Sequence, residues 1–151
     1  MSKIEKVLVT GKTHTTISSA GGTSRGHDGS VDIQLSSPGH GGKPAHVFSA
    51  IQPHPTAEQL FAGAWSACYI TAVGLVAKEM KVALPADLSV DIEVDLGQTG
   101  AAYFLQARFE VRLPGLAHEV ATAVAHGADE ICPYSKATRG NIDVTISVVT
   151  V

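Results

Sequence analysis

One stretch of this chain limits its possible folds more than any other: the residues from Gln59 to Ala77 carry no charge and are rich in alanine. The run approaches the length of a membrane-spanning helix. Its small residues and the alternating strand pattern that follows favour instead a buried helix of a soluble domain. Thr56 and Gln59 form a capping-box pattern, and Glu58 lies in the first turn, where the helix dipole favours an acid. We therefore predict a central core helix that begins after Pro55.

The other segments alternate between strand and helix patterns. The predicted elements are strands over residues 4–10, 13–18 and 31–35, the helix after Pro55, a hairpin over 88–113, a helix over 115–130 and a strand over 142–148. Turns are expected at Gly11-Lys12 and at Gly97–Gly100, and glycine- and proline-rich loops at 20–30 and 37–55. This order is α+β, and with no linker it predicts a single domain over residues 1–151.

The composition excludes several classes of function. Hydrophobic residues make up 44% of the chain and charged residues 17%, as in an ordinary globular protein. A net charge of −3 with eleven scattered lysines and arginines offers no basic surface for nucleic acid. The N-terminus lacks the apolar core of a signal peptide, so we expect a cytosolic protein that is not attached to a membrane.

Two cysteines carry the candidate chemistry. In a reducing compartment they are either core residues or redox groups. Cys68 lies inside the core helix, where a lone cysteine is by itself best interpreted as a small hydrophobic residue. Cys132 directly precedes Pro133, where a helix has to end, so its thiol lies at an element boundary.

Zinc is the other common use of cysteine and histidine. The chain has seven histidines, and none lies in a CxxC or HExxH pattern. They are His14, His27, His40, His46, His54, His118 and His126. We predict no metal site.

The segments that flank the two cysteines resemble a known family. Glu58-Gln-Leu-Phe-Ala is followed, ten residues after the glutamate, by Ser66-Ala-Cys68, and the C-terminal part reads Cys132-Pro-Tyr-Ser-Lys-Ala-Thr-Arg-Gly-Asn-Ile-Asp143. Both segments and their spacing are similar to the organic hydroperoxide resistance (Ohr) branch of the Ohr/OsmC proteins. The resemblance spans nearly the whole chain.

This resemblance implies an OsmC/Ohr-like fold, with antiparallel sheets packed on the central helix, in an intertwined homodimer with active sites at the interface. It implies that Cys68 is the peroxidatic thiol, that Cys132 is the resolving thiol, and that a glutamate and an arginine lie beside the thiolate. Glu58 matches the glutamate. Ten residues of continuous helix span about 15 Å. Either the partner subunit therefore supplies Glu58, or the helix breaks near Gly63.

The arginine is matched less closely. Relatives carry Gly-Gly-Arg followed by Asp-Gly, whereas here two further residues separate Gly21-Gly22 from Arg25. Arg25 is the first candidate for the arginine beside the thiolate, and Arg139 of the C-terminal motif is the second. The alternative for Arg25 is that it is a solvated loop residue with no role in the site. An arginine beside a thiol lowers its pKa and increases the fraction of reactive thiolate.

These roles predict a reaction. The Cys68 thiolate attacks the O–O bond of an organic hydroperoxide, an alcohol leaves, and the resulting sulfenic acid condenses with Cys132 to a disulfide. An external dithiol reopens the disulfide, and the resemblance points to a lipoylated protein as that reductant, with no bound cofactor. The residues Leu60, Phe61, Trp65 and Tyr69 are either a pocket for an alkyl or acyl tail or plain core.

The sequence leaves two other hypotheses for the function open. One is a redox sensor, or a peroxidase of different selectivity, in the same fold. The other is a non-catalytic dimer that binds a lipid or small ligand.

Overall fold

A computed structural model of the protein describes residues 2–17, 31–35 and 56–151. The predicted loops at 20–30 and 37–55, and with them Arg25, lie outside the described residues. The described strands are β1 (Lys6–Ile17), β2 (Val31–Leu35), β3 (Ser89–Thr99), β4 (Ala102–Arg112) and β5 (Asp143–Val149). The described helices are α1 (Ala57–Met80), α2 (His118–Ile131) and α3 (Pro133–Thr138). The α+β class is confirmed.

Helix α1 begins where the sequence predicts. The Gln59 backbone N–H donates to the Thr56 hydroxyl at 3.1 Å, and the Thr56 backbone N–H donates to the Gln59 side chain at 3.0 Å. These two bonds form the predicted capping box, and Glu58 lies in the first turn. By length and composition alone α1 would pass as a membrane span, but half of its 24 residues are buried against the rest of the chain. It is a core helix.

The strands form one sheet in the order β2-β1-β3-β4-β5. β3 pairs antiparallel with both β1 and β4, as expected, whereas β2 runs parallel to β1 and β5 runs parallel to β4. The sheet is therefore mixed: the expected antiparallel pairing joins β1, β3 and β4, and it does not extend to the two outer strands. A parallel pair needs a long crossover connection, and α2 and α3 supply it between β4 and β5.

The predicted turn at Gly11-Lys12 is wrong, because β1 continues through both residues. A Cβ atom added at Gly11 would lie 2.6 Å from the Cβ of Glu58, at the first turn of α1. Glycine is needed here because the backbones of β1 and α1 approach closely. Close approach of another backbone is a common reason for a glycine inside a strand.

The hairpin turn also differs from its predicted position. Gly97 lies within β3, and the chain turns at Gly100-Ala101. A Cβ atom at Gly97 would fall 2.7 Å from the Cδ1 atom of Ile4, so this glycine too makes room for a neighbouring segment. Gly100 has a φ of 57°, a conformation that glycine adopts readily and that the tight turn requires.

The core lies between the sheet and the helices. Trp65 and Tyr69 of α1 both meet Phe109 of β4 edge to face, with ring centroids 4.9 and 5.0 Å apart. Helices α2 and α3 pack against α1 on the same side of the sheet. The opposite face of the sheet is charged, and there Arg108 binds Glu93 and the almost fully buried Asp95. One face of α1 is therefore buried in this core, whereas a stripe along its other face is less buried.

Candidate active site

The tertiary structure brings the two cysteines into contact. Cys68 lies in the middle of α1 and is half-buried, whereas Cys132 lies between α2 and α3 and is fully buried. Their Sγ atoms are 3.5 Å apart although 64 residues separate them in sequence. The prediction of a shared site is therefore supported by geometry. Formation of a disulfide, whose S–S bond is about 2.0 Å long, needs only a small approach of the two sulfur atoms.

The position of Cys132 follows from the proline beside it. Pro133 disfavours helical backbone at the preceding residue. Cys132 accordingly has φ −63° and ψ 120°, and it ends α2 and begins α3. The sequence predicted this boundary but not the six residues of α3. The available signal was Pro133 itself, since proline is favoured at the first position of a helix.

Burial raises the pKa of the Cys68 thiol to about 11, and the neighbouring Cys132 adds to this increase. The backbone N–H of Tyr134, in the first turn of α3, lies near the Cys68 sulfur and lowers its pKa in part. Among the described residues, no cation contributes to the pKa of Cys68. At pH 7 a thiol of this pKa is ionised in only about one molecule in ten thousand. A positive charge beside Cys68 would lower this pKa and increase the fraction of thiolate.

Glu58 cannot reach the Cys68 of its own chain. The helix continues without a break through Gly63, so the alternative of a broken helix is wrong. Ten residues of unbroken helix separate the two side chains by about 15 Å along the axis. A site that contains both residues has to combine Glu58 of one chain with Cys68 of another.

Arg139, the second candidate for the arginine beside the thiolate, binds Asp129 instead. The guanidinium of Arg139 donates to both the side chain and the backbone carbonyl of Asp129, each at 2.9 Å. This pair ties the segment after α3 to the last turn of α2. Arg25 therefore remains the candidate for the charge beside Cys68, outside the described residues.

Comparisons with known proteins identify the family of this chain. The family described as OsmC-like protein matches residues 50–147. The chain belongs to the OsmC-like family. The organic hydroperoxide resistance protein of Xanthomonas axonopodis pv. citri (strain 306) is 34% identical over 148 residues, which cover 98% of this chain and 99% of that protein.

Solved structures of OsmC-like proteins agree with the fold. The organic hydroperoxide resistance protein OhrB of Bacillus subtilis has a TM-score of 0.59 at 34% identity, over 64% of this chain and 72% of that one. The organic hydroperoxide resistance protein of Elizabethkingia anophelis has a TM-score of 0.60 at 25% identity, over 98% of this chain and all of that one. The predicted resemblance to the Ohr branch is confirmed.

In this OsmC-like chain the four apolar candidates divide into two pairs. Trp65 and Tyr69 are fully buried, and their polar atoms bond to Ser135 and to the Ala125 carbonyl within the protein. Burial also raises the pKa of the Tyr69 hydroxyl. Trp65 and Tyr69 are therefore core residues. The sequence had left pocket and core open for all four apolar candidates. Leu60 is 52% exposed and Phe61 is partly buried, so they remain candidates for the substrate pocket.

Over the described ranges, no group of three or more histidine, cysteine, aspartate or glutamate residues is arranged to hold a metal ion. His14 instead pairs with Asp91 on the charged face of the sheet, at 2.5 Å. The histidines at positions 27, 40, 46 and 54 lie outside the described residues.

Sequence analysis missed two residues that contact the site. They are Tyr134, whose backbone N–H lies near the Cys68 sulfur and lowers its pKa, and Ser135, whose hydroxyl accepts a hydrogen bond from the Trp65 indole. Both lie in the motif that begins at Cys132. The spacing of three residues from Cys132 to Ser135 was the signal that could have revealed the second.

Proposed function

We propose that this protein is a thiol peroxidase that reduces organic hydroperoxides. The observation that carries the proposal is the contact between a half-buried Cys68 and a fully buried Cys132. Because Cys68 is partly exposed and Cys132 is fully buried, we propose that Cys68 attacks the peroxide and that Cys132 resolves the intermediate. The names of the relatives support organic hydroperoxides as the substrate class.

The proposed reaction has two steps, attack on the peroxide and formation of the disulfide. The Cys68 thiolate attacks one peroxide oxygen, the O–O bond breaks, and the alkoxide takes up a proton to leave as an alcohol. Cys68 becomes a sulfenic acid. The Cys132 sulfur then attacks the sulfenic sulfur, the S–S bond forms, the S–O bond breaks, and the departing hydroxide takes the Cys132 proton to give water.

Activation of Cys68 requires Arg25, held in place by Glu58. The guanidinium lowers the pKa that burial has raised, and it can donate hydrogen bonds to the peroxide oxygens. Glu58 lies too far along its own helix from the Cys68 of the same chain. The Glu58 that holds Arg25 beside Cys68 therefore comes from a second copy of the chain. The active form is therefore a homodimer.

The surface of α1 supports the homodimer. Its less buried residues follow helical spacing and form one stripe, which consists of Leu60, Phe61, Ala64, Cys68, Thr71, Gly74 and Leu75. The stripe is almost entirely apolar, and Leu75 at its far end is 58% exposed in the single chain. An apolar stripe of this kind is typical of a surface that another protein covers. Sedimentation analysis that found only monomers would contradict this part of the proposal.

The substrate tail would lie against Leu60 and Phe61 near the N-terminal end of α1. We propose that a lipoylated protein serves as the external dithiol and that the reaction takes place in the cytosol. The reductant opens the Cys68–Cys132 disulfide by thiol exchange, which returns both thiols.

One experiment tests the function. The wild type, Cys68→Ser and Cys132→Ser are assayed with a fatty-acid hydroperoxide, an alkyl hydroperoxide and hydrogen peroxide, each with dihydrolipoamide and with thioredoxin. We expect organic peroxides and dihydrolipoamide to be preferred and Cys68→Ser to be inactive. Cys132→Ser should complete a turnover and then accumulate the sulfinic acid on Cys68, which mass spectrometry detects.

The outcomes separate the alternatives. Equal turnover of hydrogen peroxide and organic peroxides would contradict the substrate class and favour a sensor or a peroxidase of different selectivity. A cellular function that survives Cys68→Ser would indicate a dimer that binds a lipid or small ligand without catalysis.

A further inference from the structure

A buried hydrogen bond links the two cysteine-bearing segments one helical turn from the thiols. The indole Nε1–H of Trp65 donates to the hydroxyl of Ser135 at 3.1 Å, and the two residues are 0% and 2% exposed. Trp65 lies three residues before Cys68, and Ser135 lies three residues after Cys132. The bond and the thiol contact thus join the same two chain segments at neighbouring points.

The short helix α3 needs such a link to keep its position. A helix of six residues is not stable by itself and is held by its tertiary contacts. The hydroxyl of Thr138 is bonded inside α3, to the carbonyls of Tyr134 and Ser135, and so does not attach α3 to α1. The Trp65–Ser135 bond does attach the two helices, and it is shielded from water.

We infer that Trp65 and Ser135 are positioning residues for the resolving step, because their hydrogen bond holds α3, and with it Cys132, against Cys68. This inference rests on the proposed function. In that step the Cys132 sulfur displaces hydroxide from the Cys68 sulfenic acid, so one sulfur is oxidised, the other is reduced, and water is released. The rate and the equilibrium of this closure depend on how often the two sulfur atoms are already in contact.

The expected size of the effect follows from the value of one buried hydrogen bond. Its net contribution of about 1 kcal/mol corresponds to about a fivefold change in an equilibrium constant. The structure with free thiols already contains this bond, so its loss changes the disulfide equilibrium only to the extent that α3 moves away from Cys68 in the reduced protein. Complete release of α3 would make the Cys68–Cys132 disulfide about fivefold less stable against glutathione. The midpoint potential of the disulfide should therefore rise, with about 20 mV as the upper limit of the shift.

The test measures disulfide formation directly, without peroxide. Wild type, Ser135→Ala and Trp65→Phe are equilibrated in glutathione redox buffers, and the oxidised fraction is read by mass spectrometry after the thiols are blocked. We expect the midpoint potential of the disulfide to rise in both variants. In the double variant it should rise little beyond the larger of the two single effects. Ser135→Thr keeps the hydroxyl and should restore a value near that of the wild type.

A matched control removes a buried hydrogen bond on the other side of α1. Thr15 of β1 donates to Ser66 at 2.8 Å, and Thr15→Val deletes this bond without touching α3. It should lower the melting temperature and leave the disulfide equilibrium unchanged. Trp65→Phe breaks the Trp65–Ser135 bond from the α1 side, so the result does not depend on whether Ser135→Ala folds.

The results distinguish this inference from the function on which it rests. A wild type that forms the disulfide, with Ser135→Ala and Trp65→Phe at the same potential, would overturn the inference and leave the peroxidase proposal standing. A shift as large in Thr15→Val would also overturn it, because the effect would then reflect general loss of stability. A wild type that forms no disulfide at any glutathione ratio would overturn both.

Discussion

The ionisation of Cys68 gives the most direct test of the proposed activation. The described chain by itself holds the thiol pKa at about 11, chiefly through burial and secondly through Cys132. An enzyme that uses a thiolate near neutral pH needs a pKa closer to 7. If Arg25 provides the difference, Arg25→Ala should return the pKa of Cys68 toward about 11.

The expected loss of reactivity can be calculated from these two pKa values. A shift from 7 to 11 reduces the thiolate fraction at pH 7 by about 5000-fold. The remaining thiolate is intrinsically more nucleophilic, by about 40- to 100-fold for a Brønsted coefficient of 0.4–0.5. The net prediction is that Arg25→Ala slows the reaction of Cys68 at pH 7 by about 100-fold.

The assay is alkylation of the reduced protein with iodoacetamide over a range of pH, with the modified cysteine identified by mass spectrometry. Arg112→Ala is the matched control, because it removes one positive charge from an exposed site where Arg112 pairs with Glu110. We expect the alkylation midpoint of Cys68 to move upward in Arg25→Ala and to stay in place in Arg112→Ala. An identical profile for wild type and Arg25→Ala would refute the assignment, and a wild-type midpoint near 11 would refute cationic activation altogether.

Two further predictions concern the scaffold. Hydrogen bonds from Arg108 hold the pKa of Asp95 at about 2, below its ordinary value of 3.8. Asp95→Asn should therefore lower the free energy of unfolding by about 2 kcal/mol at neutral pH. Because the folded pKa lies below the unfolded one, this deficit should be complete above about pH 4 and fade as the pH falls through about 2. Urea unfolding at several pH values checks it, and a deficit that does not change with pH would contradict the assignment. Gly11→Ala should destabilise the fold by about 2 kcal/mol, since its Cβ would overlap the first turn of α1 at Glu58. Thermal unfolding measures this effect, and an unchanged melting temperature would show that strand and helix can separate at no cost.

Local chemistry explains which elements were predictable. The start of α1 was predicted correctly because Thr56, Glu58 and Gln59 act on backbone groups within one turn. The boundary at Cys132 was predictable because Pro133 restricts the residue directly before it. The two misplaced turns have the opposite cause. Gly11 and Gly97 are determined by distant segments that pack against them, and a glycine in sequence does not show whether it turns or makes room.

The sequence by itself determined the capped core helix, the α+β order of elements and the two cysteine motifs, because these depend on spacing along the chain. Only the tertiary structure decided that Cys68 and Cys132 are in contact and that Trp65 and Tyr69 are core residues. It also decided that Glu58 lies on an unbroken helix, too far from its own Cys68. Distances between segments 64 residues apart depend on how helices pack, and a thiol pKa depends on burial and on neighbouring groups, which no single stretch of sequence specifies.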